Sequence, residues 1–185
     1  MKLLQFRKND EIRLGVKTDF GVLDVKEAAT ASGQSTPVTL QEVISNSMEG
    51  LAKLTSLVER TVQKGKEEFF ISSEDVTYAP AVTNPEKIIC VGLNYINHAK
   101  ESNMDIPTSP ILFSKFNNAL AAHQEPVTIP TGVEKMDYEA ELVLIIGKTA
   151  KNVSEDEALS YVFGYTVGND VSARDWQFKK PVNGC

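Results

Sequence analysis

From about residue 87 onward, the apolar residues of this 185-residue chain fall in short runs separated by polar loops. Runs of five to seven residues are too short for most buried helices, so this pattern favours β-strands. The predicted strands are Lys87–Val91, Ile111–Phe116, Glu141–Ile146 and Val162–Val167. One helix is predicted among them, capped by Ser154 and running to about Tyr161. This part of the chain is therefore expected to be mostly β.

The first 80 residues have a different pattern. Alternating apolar residues at Ile12–Val16 and Phe20–Val25 flank a short polar turn, which predicts a β-hairpin. Thr39 and Glu42 have the spacing of a capping box, and a second helix is predicted from Gly50. Prolines between 78 and 85 mark a boundary. The fold class predicted is α+β, mainly β, with a small N-terminal hairpin-plus-helix domain at 1–80 and a second unit at 81–185.

Charge and composition exclude several classes of partner. The formal net charge is −6, whereas nucleic-acid binding usually rests on a basic surface. The longest apolar run, Leu142–Ile146, is far below the roughly 20 residues that span a bilayer. With no signal-peptide pattern, a cytoplasmic protein without nucleic-acid or membrane partners is expected. Cys90 and Cys185 form no disulfide or metal spacing, and Cys90 is predicted to be a small buried hydrophobe.

Two glutamates stand at the head of an apolar strand. Because strand side chains alternate, Glu139 and Glu141 should lie on the same face. Neighbouring carboxylates repel each other, and a hard divalent cation such as Mg²⁺ would relieve that repulsion. The alternative is a solvated strand end with no ligand.

His98 and Glu101 are spaced i, i+3. On a helical turn this places a carboxylate beside the imidazole, where it can orient the ring and raise its basicity for general-base catalysis. A surface ion pair without catalytic function is the alternative.

A third polar segment follows the last predicted strand. Asp170 ends that strand, and Arg174 and Gln177 come four and seven residues later, a spacing that on one helix would place all three on one face. The guanidinium of Arg174 suits bidentate recognition of a carboxylate. Alternatively, Asp170 caps a helix and Arg174 pairs with a surface acid.

Taken together, these segments resemble the fumarylacetoacetate hydrolase family. The matching stretches, in order, are Gly92–Tyr95 with His98 and Glu101, Pro110–Lys115, Asp137–Glu141 leading to Gly147, Gly164–Tyr165, and Asn169–Asp170 with Arg174, Asp175 and Gln177. The ordered set is specific from about residue 85 to 177. The first 80 residues resemble, less distinctively, the small leading domain of bacterial members.

The resemblance implies a fold, a cofactor and a set of site residues. The larger domain would be a mixed β-sandwich roll, of which this chain would hold only the first part, and the protein would be a homodimer. A divalent metal, Mg²⁺ or Mn²⁺, would be the cofactor. The residues implied are Glu139, Glu141 and Asp170 for the metal, His98 and Glu101 for catalysis, and Arg174, Gln177 and Lys115 for substrate.

The implied function is metal-dependent chemistry on a 2-oxo or 1,3-diketo acid through a metal-bound enolate. Hydrolysis of a C–C bond in an acylpyruvate-like substrate is the preferred interpretation. Isomerisation or decarboxylation of a related dicarboxylic 2-hydroxy-dienoate or 2-oxo acid uses the same intermediate and is the first alternative. The second is an inactive truncated remnant or a metal-binding structural half-domain.

Overall fold

A computed structural model describes residues 1–179, and its fold is mixed α+β with mostly strands. An N-terminal sheet with helices is followed by further strands, as the sequence predicts. The strands are β1 (Lys2–Lys8), β2 (Glu11–Thr18), β3 (Gly21–Asp24), β4 (Phe70–Ile71), β5 (Tyr78–Ala79), β6 (Ile88–Gly92), β7 (Ile111–Lys115), β8 (Met136–Asp137), β9 (Ala140–Ile146), β10 (Val162–Asn169) and β11 (Ser172–Ala173). The helices are α1 (Val25–Ser32), α2 (Leu40–Gln63), α3 (Ile96–Glu101), α4 (Glu155–Ala158) and α5 (Arg174–Lys179).

The N-terminal strands form one sheet in the order β4-β3-β2-β1-β5. The predicted hairpin is its β2–β3 pair, which is antiparallel and closes with Thr18 opposite Gly21. Strand β1 was not predicted, although it pairs with β2 along seven residues and with β5 on its other side. The sheet is therefore assembled from both ends of the first 79 residues.

Helix α1 begins where the predicted second hairpin strand was expected to continue. The Asp24 side chain accepts a hydrogen bond from Glu27 N and caps the helix. At its other end, Gly33 has φ 66°, a left-handed conformation that glycine adopts without steric strain. Val25 is thus the first residue of a helix, and the strand ends one residue earlier.

The predicted capping box is present at the start of α2. Thr39 accepts from Glu42 N, and the Glu42 carboxylate accepts from Thr39 N. Ser47, at φ 49° and ψ −124°, interrupts the helical backbone. The two predicted helices are therefore the two arms of one kinked element.

Helices α1 and α2 cover one face of the sheet and enclose the main hydrophobic core. The fully buried side chains include Leu14, Leu23, Val25, Val43, Leu54 and Leu57. Val82, Ile145 and Phe163 of the second part pack against this core. The N-terminal part consequently supplies most of the buried apolar surface.

The second part contains three two-stranded antiparallel sheets: β6–β7, β9–β10 and β8–β11. All four predicted strands are present, within a few residues of the predicted ends. The longest pair, β9–β10, has a register shift between Val162 and Gly164. Beyond Ser154 the predicted helix exists as α4 followed by a 3₁₀ turn at Leu159–Tyr161.

Among residues 1–179, no helix combines the length and the apolar character that crossing a bilayer requires. Cys185, the second cysteine discussed above, lies outside the described residues.

Candidate active site

Two of the predicted metal ligands meet where the chain enters β9 and leaves β10. Asp170 N donates a hydrogen bond to Glu139 O at 2.9 Å, and Glu139 N donates to Asn169 Oδ1 at 3.1 Å. On the strands themselves, Glu141 stands opposite Gly168. The antiparallel pairing thus brings residues about 30 positions apart in sequence to one end of one sheet.

A cavity of about 260 Å³ lies at this end of the sheet. Its polar lining includes four residues singled out from the sequence, and Phe113 and Val171 contribute apolar surface. Those four are Lys115, Glu139, Asp170 and Gln177. Two predicted metal ligands and two predicted substrate residues therefore share one concave surface, whereas Glu141 and Arg174 are not part of the cavity lining.

The Asp170 carboxylate is largely buried and lies against Lys115. Lys115 Nζ is 2.6 Å from Asp170 Oδ1. Among residues 1–179, no hydrogen bond to this oxygen is formed, and Lys115 is its ion-pair partner. Carboxylate oxygens are the ligands that hard divalent cations prefer.

Arg174 connects three side chains around the cavity. Its Nε donates to Asp137 Oδ2 at 2.8 Å, Nη2 donates to Glu139 Oε1, and Nη1 donates to Gln177 Oε1 at 2.9 Å. Burial lowers the pKa of Arg174, but the bonds to Glu139 and Asp137 outweigh it and raise the pKa overall. The guanidinium is therefore a fixed positive charge beside the carboxylates.

Asp170 does not cap the helix that carries Arg174. Strand β11 intervenes, and α5 begins at Arg174 itself. The interpretation that places Asp170, Arg174 and Gln177 on one helical face is therefore wrong, because Asp170 directly follows β10 and lies outside the helix. Arg174 and Gln177 do share a helix, and Gln177 lines the cavity together with Asp170.

Cys90, on β6, is only partly buried, contrary to the prediction of a buried hydrophobe. Desolvation raises the pKa of its thiol, and the carboxylates of Asp170 and Glu141 raise it further, while Lys115 lowers it. Lys115 is the last residue of β7 and stands opposite Ile88, at the end of the β6–β7 pair. Glu141 stands opposite Gly168, two residues before Asp170, and so lies near the site although it does not line the cavity.

His98 and Glu101 both lie on α3, as predicted, with His98 partly buried and Glu101 exposed. Among residues 1–179, no hydrogen bond or ion pair joins the two side chains. Tyr95, the residue before α3, connects this helix to β9. Its hydroxyl accepts a hydrogen bond from Leu142 N at 3.2 Å. The catalytic dyad stays a prediction, and α3 is linked to the strand that carries Glu141.

The carboxylates of this site are chemically suited to bind the divalent cation that the resemblance implies. Glu139 and Asp170 supply hard oxygen donors on one cavity, and Glu141 follows Glu139 by two residues. As positioned, the acidic, histidine and cysteine side chains of residues 1–179 form no group of three close enough to enclose an ion. Arg174 and Lys115 instead neutralise Glu139 and Asp170.

Two aspartates that the sequence analysis left without a role hold this site together. Asp137 accepts from Arg174 Nε, and Asp175 accepts from the main-chain amides of Glu134 and Lys135. Both belong to motifs that the resemblance matched, namely Asp137–Glu141 and Arg174–Gln177. That adjacency was the available signal, but their partners lie about 40 residues away and cannot be inferred from local spacing.

Residues 87–184 match the model for the fumarylacetoacetate hydrolase C-terminal domain. The chain belongs to the fumarylacetoacetate hydrolase family. The segments that carried the resemblance are thus segments of a family domain, and the chain covers part of that domain.

Several proteins with similar sequences have the names of enzymes. A Xenopus laevis protein named oxaloacetate tautomerase fahd2, mitochondrial, is 36% identical over 184 residues, covering 97% of this chain and 54% of that protein. The Homo sapiens protein named oxaloacetate tautomerase FAHD2A, mitochondrial, is 42% identical over 106 residues, covering 57% of this chain and 34% of that protein. The chain therefore spans about half the length of the first relative and about a third of the second.

A solved structure has the same fold. The crystal structure of maleylpyruvate hydrolase from Sphingobium sp. SYK-6 matches with a TM-score of 0.68 and 25% identity, covering 95% of this chain and 60% of that one. The N-terminal sheet and the later strands both fall within the matched part.

Proposed function

We propose that this family member is a divalent-cation-dependent enzyme that catalyses enolisation of a 2-oxo acid. Keto–enol tautomerisation of a dicarboxylic 2-oxo acid such as oxaloacetate is the specific reaction proposed. The observation that carries the proposal is the cavity where Glu139, Asp170 and Lys115 meet Gln177, the hydrogen-bond partner of Arg174. The Xenopus laevis and human relatives, named oxaloacetate tautomerases, support the choice of reaction.

The carboxylates would hold the cation, and the basic residues would hold the substrate. Glu139, Glu141 and Asp170 are the ligands proposed for Mg²⁺ or Mn²⁺, which when bound would supply the positive charge that favours an enolate. Arg174 has a planar fork of donors that matches a substrate carboxylate, and Gln177 lies 2.9 Å from it. A dicarboxylic acid could use Lys115 for its second carboxylate.

His98 is the proposed general base. Its imidazole would take a proton from the carbon next to the substrate carbonyl and return it to the enolate oxygen. The C–H bond breaks, an O–H bond forms, and the π bond moves from C=O to C=C, so that no atom is gained or lost. Glu101, one helical turn away on α3, would orient the ring. The hydrogen bond from Leu142 N to the Tyr95 hydroxyl holds α3 next to β9, the strand that carries Glu141.

Replacing His98 tests the base. In the full-length protein loaded with Mn²⁺, His98→Ala should lower kcat for oxaloacetate tautomerisation by about 100-fold or more. His123→Ala is the matched control, because the only other histidine packs edge-on against Tyr78 with 5.1 Å between ring centroids. Full activity of His98→Ala would show that His98 is not the base.

Removing the carboxylates tests the cation site. The double variant Glu139→Gln with Glu141→Gln should abolish Mn²⁺ binding in a titration while circular dichroism stays unchanged. The control pair is Glu155→Gln with Asp156→Asn, exposed acids in the first turn of α4. Unchanged Mn²⁺ affinity in the first pair would contradict the carboxylate site.

Hydrolysis of an acylpyruvate is the second candidate, and the structural match to maleylpyruvate hydrolase favours it. Here water, deprotonated by His98, would add to the carbonyl carbon, and the C–C bond would break with the electron pair leaving as the pyruvate enolate. Product analysis separates the candidates, since hydrolysis yields two carboxylic acids and tautomerisation yields one. Absence of turnover with both substrates would favour the remnant interpretation.

The homodimer and the compartment also stay predictions. Sedimentation of the full-length protein tests the first. The mitochondrial names of the vertebrate relatives make imaging of a tagged full-length protein the direct test of the predicted cytoplasmic location.

A further inference from the structure

Asp175 is a buried carboxylate that the proposed mechanism does not use. It is 6% exposed, and it lies in the first turn of α5 between Arg174 and the helix residues that follow. Its two carboxylate oxygens accept hydrogen bonds from Glu134 N at 3.1 Å and Lys135 N at 3.2 Å. The side chain therefore joins α5 to a loop about 40 residues earlier in sequence.

The residues on either side of Asp175 also contact this loop. Arg174 N donates to Lys135 O at 2.8 Å, and the indole of Trp176 donates to Gly132 O at 3.1 Å. Strands β8 and β11 then pair Met136 with Ala173. The loop from 132 to 135, here called the docking loop, is thus fastened to the start of α5.

The docking loop leads directly into the residues that contact the Arg174 side chain. Asp137 and Glu139 follow it by two and four residues, and both accept hydrogen bonds from the guanidinium. Any displacement of the loop relative to α5 would move these carboxylates away from Arg174. Asp175 thus contacts the loop that precedes these carboxylates, and it does not itself line the cavity.

We propose that Asp175 is a positioning residue that fixes the carboxylate segment Asp137–Glu141 against Arg174 by anchoring the docking loop. The inference rests on the proposed function for its catalytic consequence and on the hydrogen bonds for its structural one. A carboxylate suits this role because both of its oxygens accept, so two amides are satisfied at once. An asparagine offers one acceptor oxygen and a nitrogen that only donates.

The test compares Asp175→Asn and Asp175→Ala in the full-length protein. Amide hydrogen exchange at Glu134 and Lys135 should accelerate by about tenfold in the alanine variant and less in the asparagine variant. The Mn²⁺ dissociation constant and KM for oxaloacetate should each rise by about fivefold to tenfold. A merely structural defect would reduce the active fraction and lower kcat, leaving KM and the Mn²⁺ dissociation constant unchanged.

A spectroscopic measurement follows the connection to Arg174 independently of turnover. In the wild-type protein, the Nε–Hε group of Arg174 is held by Asp137, so its proton resonance should exchange slowly with water. That resonance should broaden or vanish in both Asp175 variants. Asp156→Asn and Asp156→Ala, which alter an exposed acid on α4, are the matched controls and should leave all four measurements unchanged.

The outcomes separate this proposal from the proposed function. If exchange at Glu134 and Lys135 accelerates while the Arg174 resonance, KM and Mn²⁺ affinity stay within about twofold of wild type, Asp175 only stabilises the loop and the proposal is overturned. If the wild-type protein neither turns over oxaloacetate nor binds Mn²⁺, the proposed function fails, and the Arg174 resonance still decides the role of Asp175. Should Asp175→Ala not fold, Asp175→Asn supplies every measurement.

Discussion

The N-terminal region (residues 1–79) and the C-terminal region (residues 80–179) both contain strands rich in apolar residues but bury those residues very differently. Of the described residues, all buried core side chains except Ala99 lie in the N-terminal region. There, helices α1 and α2 cover the five-stranded sheet. In the C-terminal region, side chains such as Leu142, Leu144 and Val167 on β9–β10 are exposed.

The difference shows that an apolar strand pattern produces a core only where a second layer covers the strands. The C-terminal segments that form the candidate site are held largely by polar contacts: the Arg174 cluster, the Asp175 anchor and the Tyr95 bond to Leu142 N. The exposed apolar strands form a surface of the kind that usually binds another protein segment. The contrast can be tested by equivalent substitutions in the two regions.

The largest expected effect is on the N-terminal core. Leu54→Ala removes a fully buried side chain and should lower the free energy of unfolding by about 3–5 kcal/mol. Leu142→Ala makes the same change at a residue that is 59% exposed and should lower it by less than about 0.5 kcal/mol. Urea denaturation of this chain measures both.

The same pair of variants can break the comparison. If Leu142→Ala destabilises the protein as much as Leu54→Ala does, the β9–β10 surface is covered in solution. The contrast in burial between the two regions would then be wrong.

The next effect compares two carboxylates. Asp24 is fully buried, contacts Lys8 and Arg13, and caps α1, so Asp24→Ala should lower the free energy of unfolding by about 3 kcal/mol. Asp170→Ala leaves Lys115, which is partly exposed and can rehydrate, and should lower it by about 1 kcal/mol or less. Thermal unfolding monitored by circular dichroism distinguishes the two. Equal losses would indicate that the site carboxylate is a structural group.

A smaller effect concerns the cap of α2. Thr39→Ala removes the acceptor for Glu42 N and should lower the free energy of unfolding by about 1 kcal/mol. Thr55→Ala, on an exposed position of the same helix, is the control, since its hydroxyl bonds only to Leu51 O within the helix. A cap variant no less stable than this control would show that the capping box is unimportant.

The smallest effect is a pH dependence of that cap. Hydrogen bonds from Val38 N and Thr39 N hold the pKa of Glu42 below its ordinary value of 4.5. The ionised carboxylate therefore stabilises the fold above pH 4.5. This stabilisation is lost as the pH falls through the lower pKa that Glu42 has in the folded state. The difference in unfolding free energy between wild type and Glu42→Gln should shrink across that acidic range in urea titrations. A constant difference would contradict the assignment.

The sequence predicts those helices and strands whose signals lie within a few neighbouring residues. The hairpin around Thr18, the capping box at Thr39 and the four C-terminal strands follow from alternation, spacing and turn residues. Strand β1 was missed because its identity depends on partners on both sides, one of them β5 from residues 78 and 79. Val25 was assigned to the second hairpin strand, although β3 ends at Asp24 and α1 begins at Val25, because the alternation of apolar residues does not show where the backbone turns into the helix.

The candidate site was predictable in its membership but not in its contacts. Glu139, Asp170, Lys115 and Gln177 were named from the sequence and share one cavity. The Arg174–Asp137 bond joins residues 37 positions apart, which no local spacing encodes. Glu141, His98 and Glu101 were also named from the sequence. Among residues 1–179, no side-chain hydrogen bond or ion pair joins them to the residues that line the cavity.

Trp176 gives the docking loop an optical signal of its own. It is the single tryptophan of the chain, and its indole is bonded to Gly132 O. Its fluorescence should therefore report whether the loop is attached to α5, while the far-ultraviolet ellipticity is dominated by the long helix α2 of the N-terminal region. Two wavelengths on one sample would follow the two regions separately, and non-coincident melting curves would reveal that the site can detach while the core remains folded.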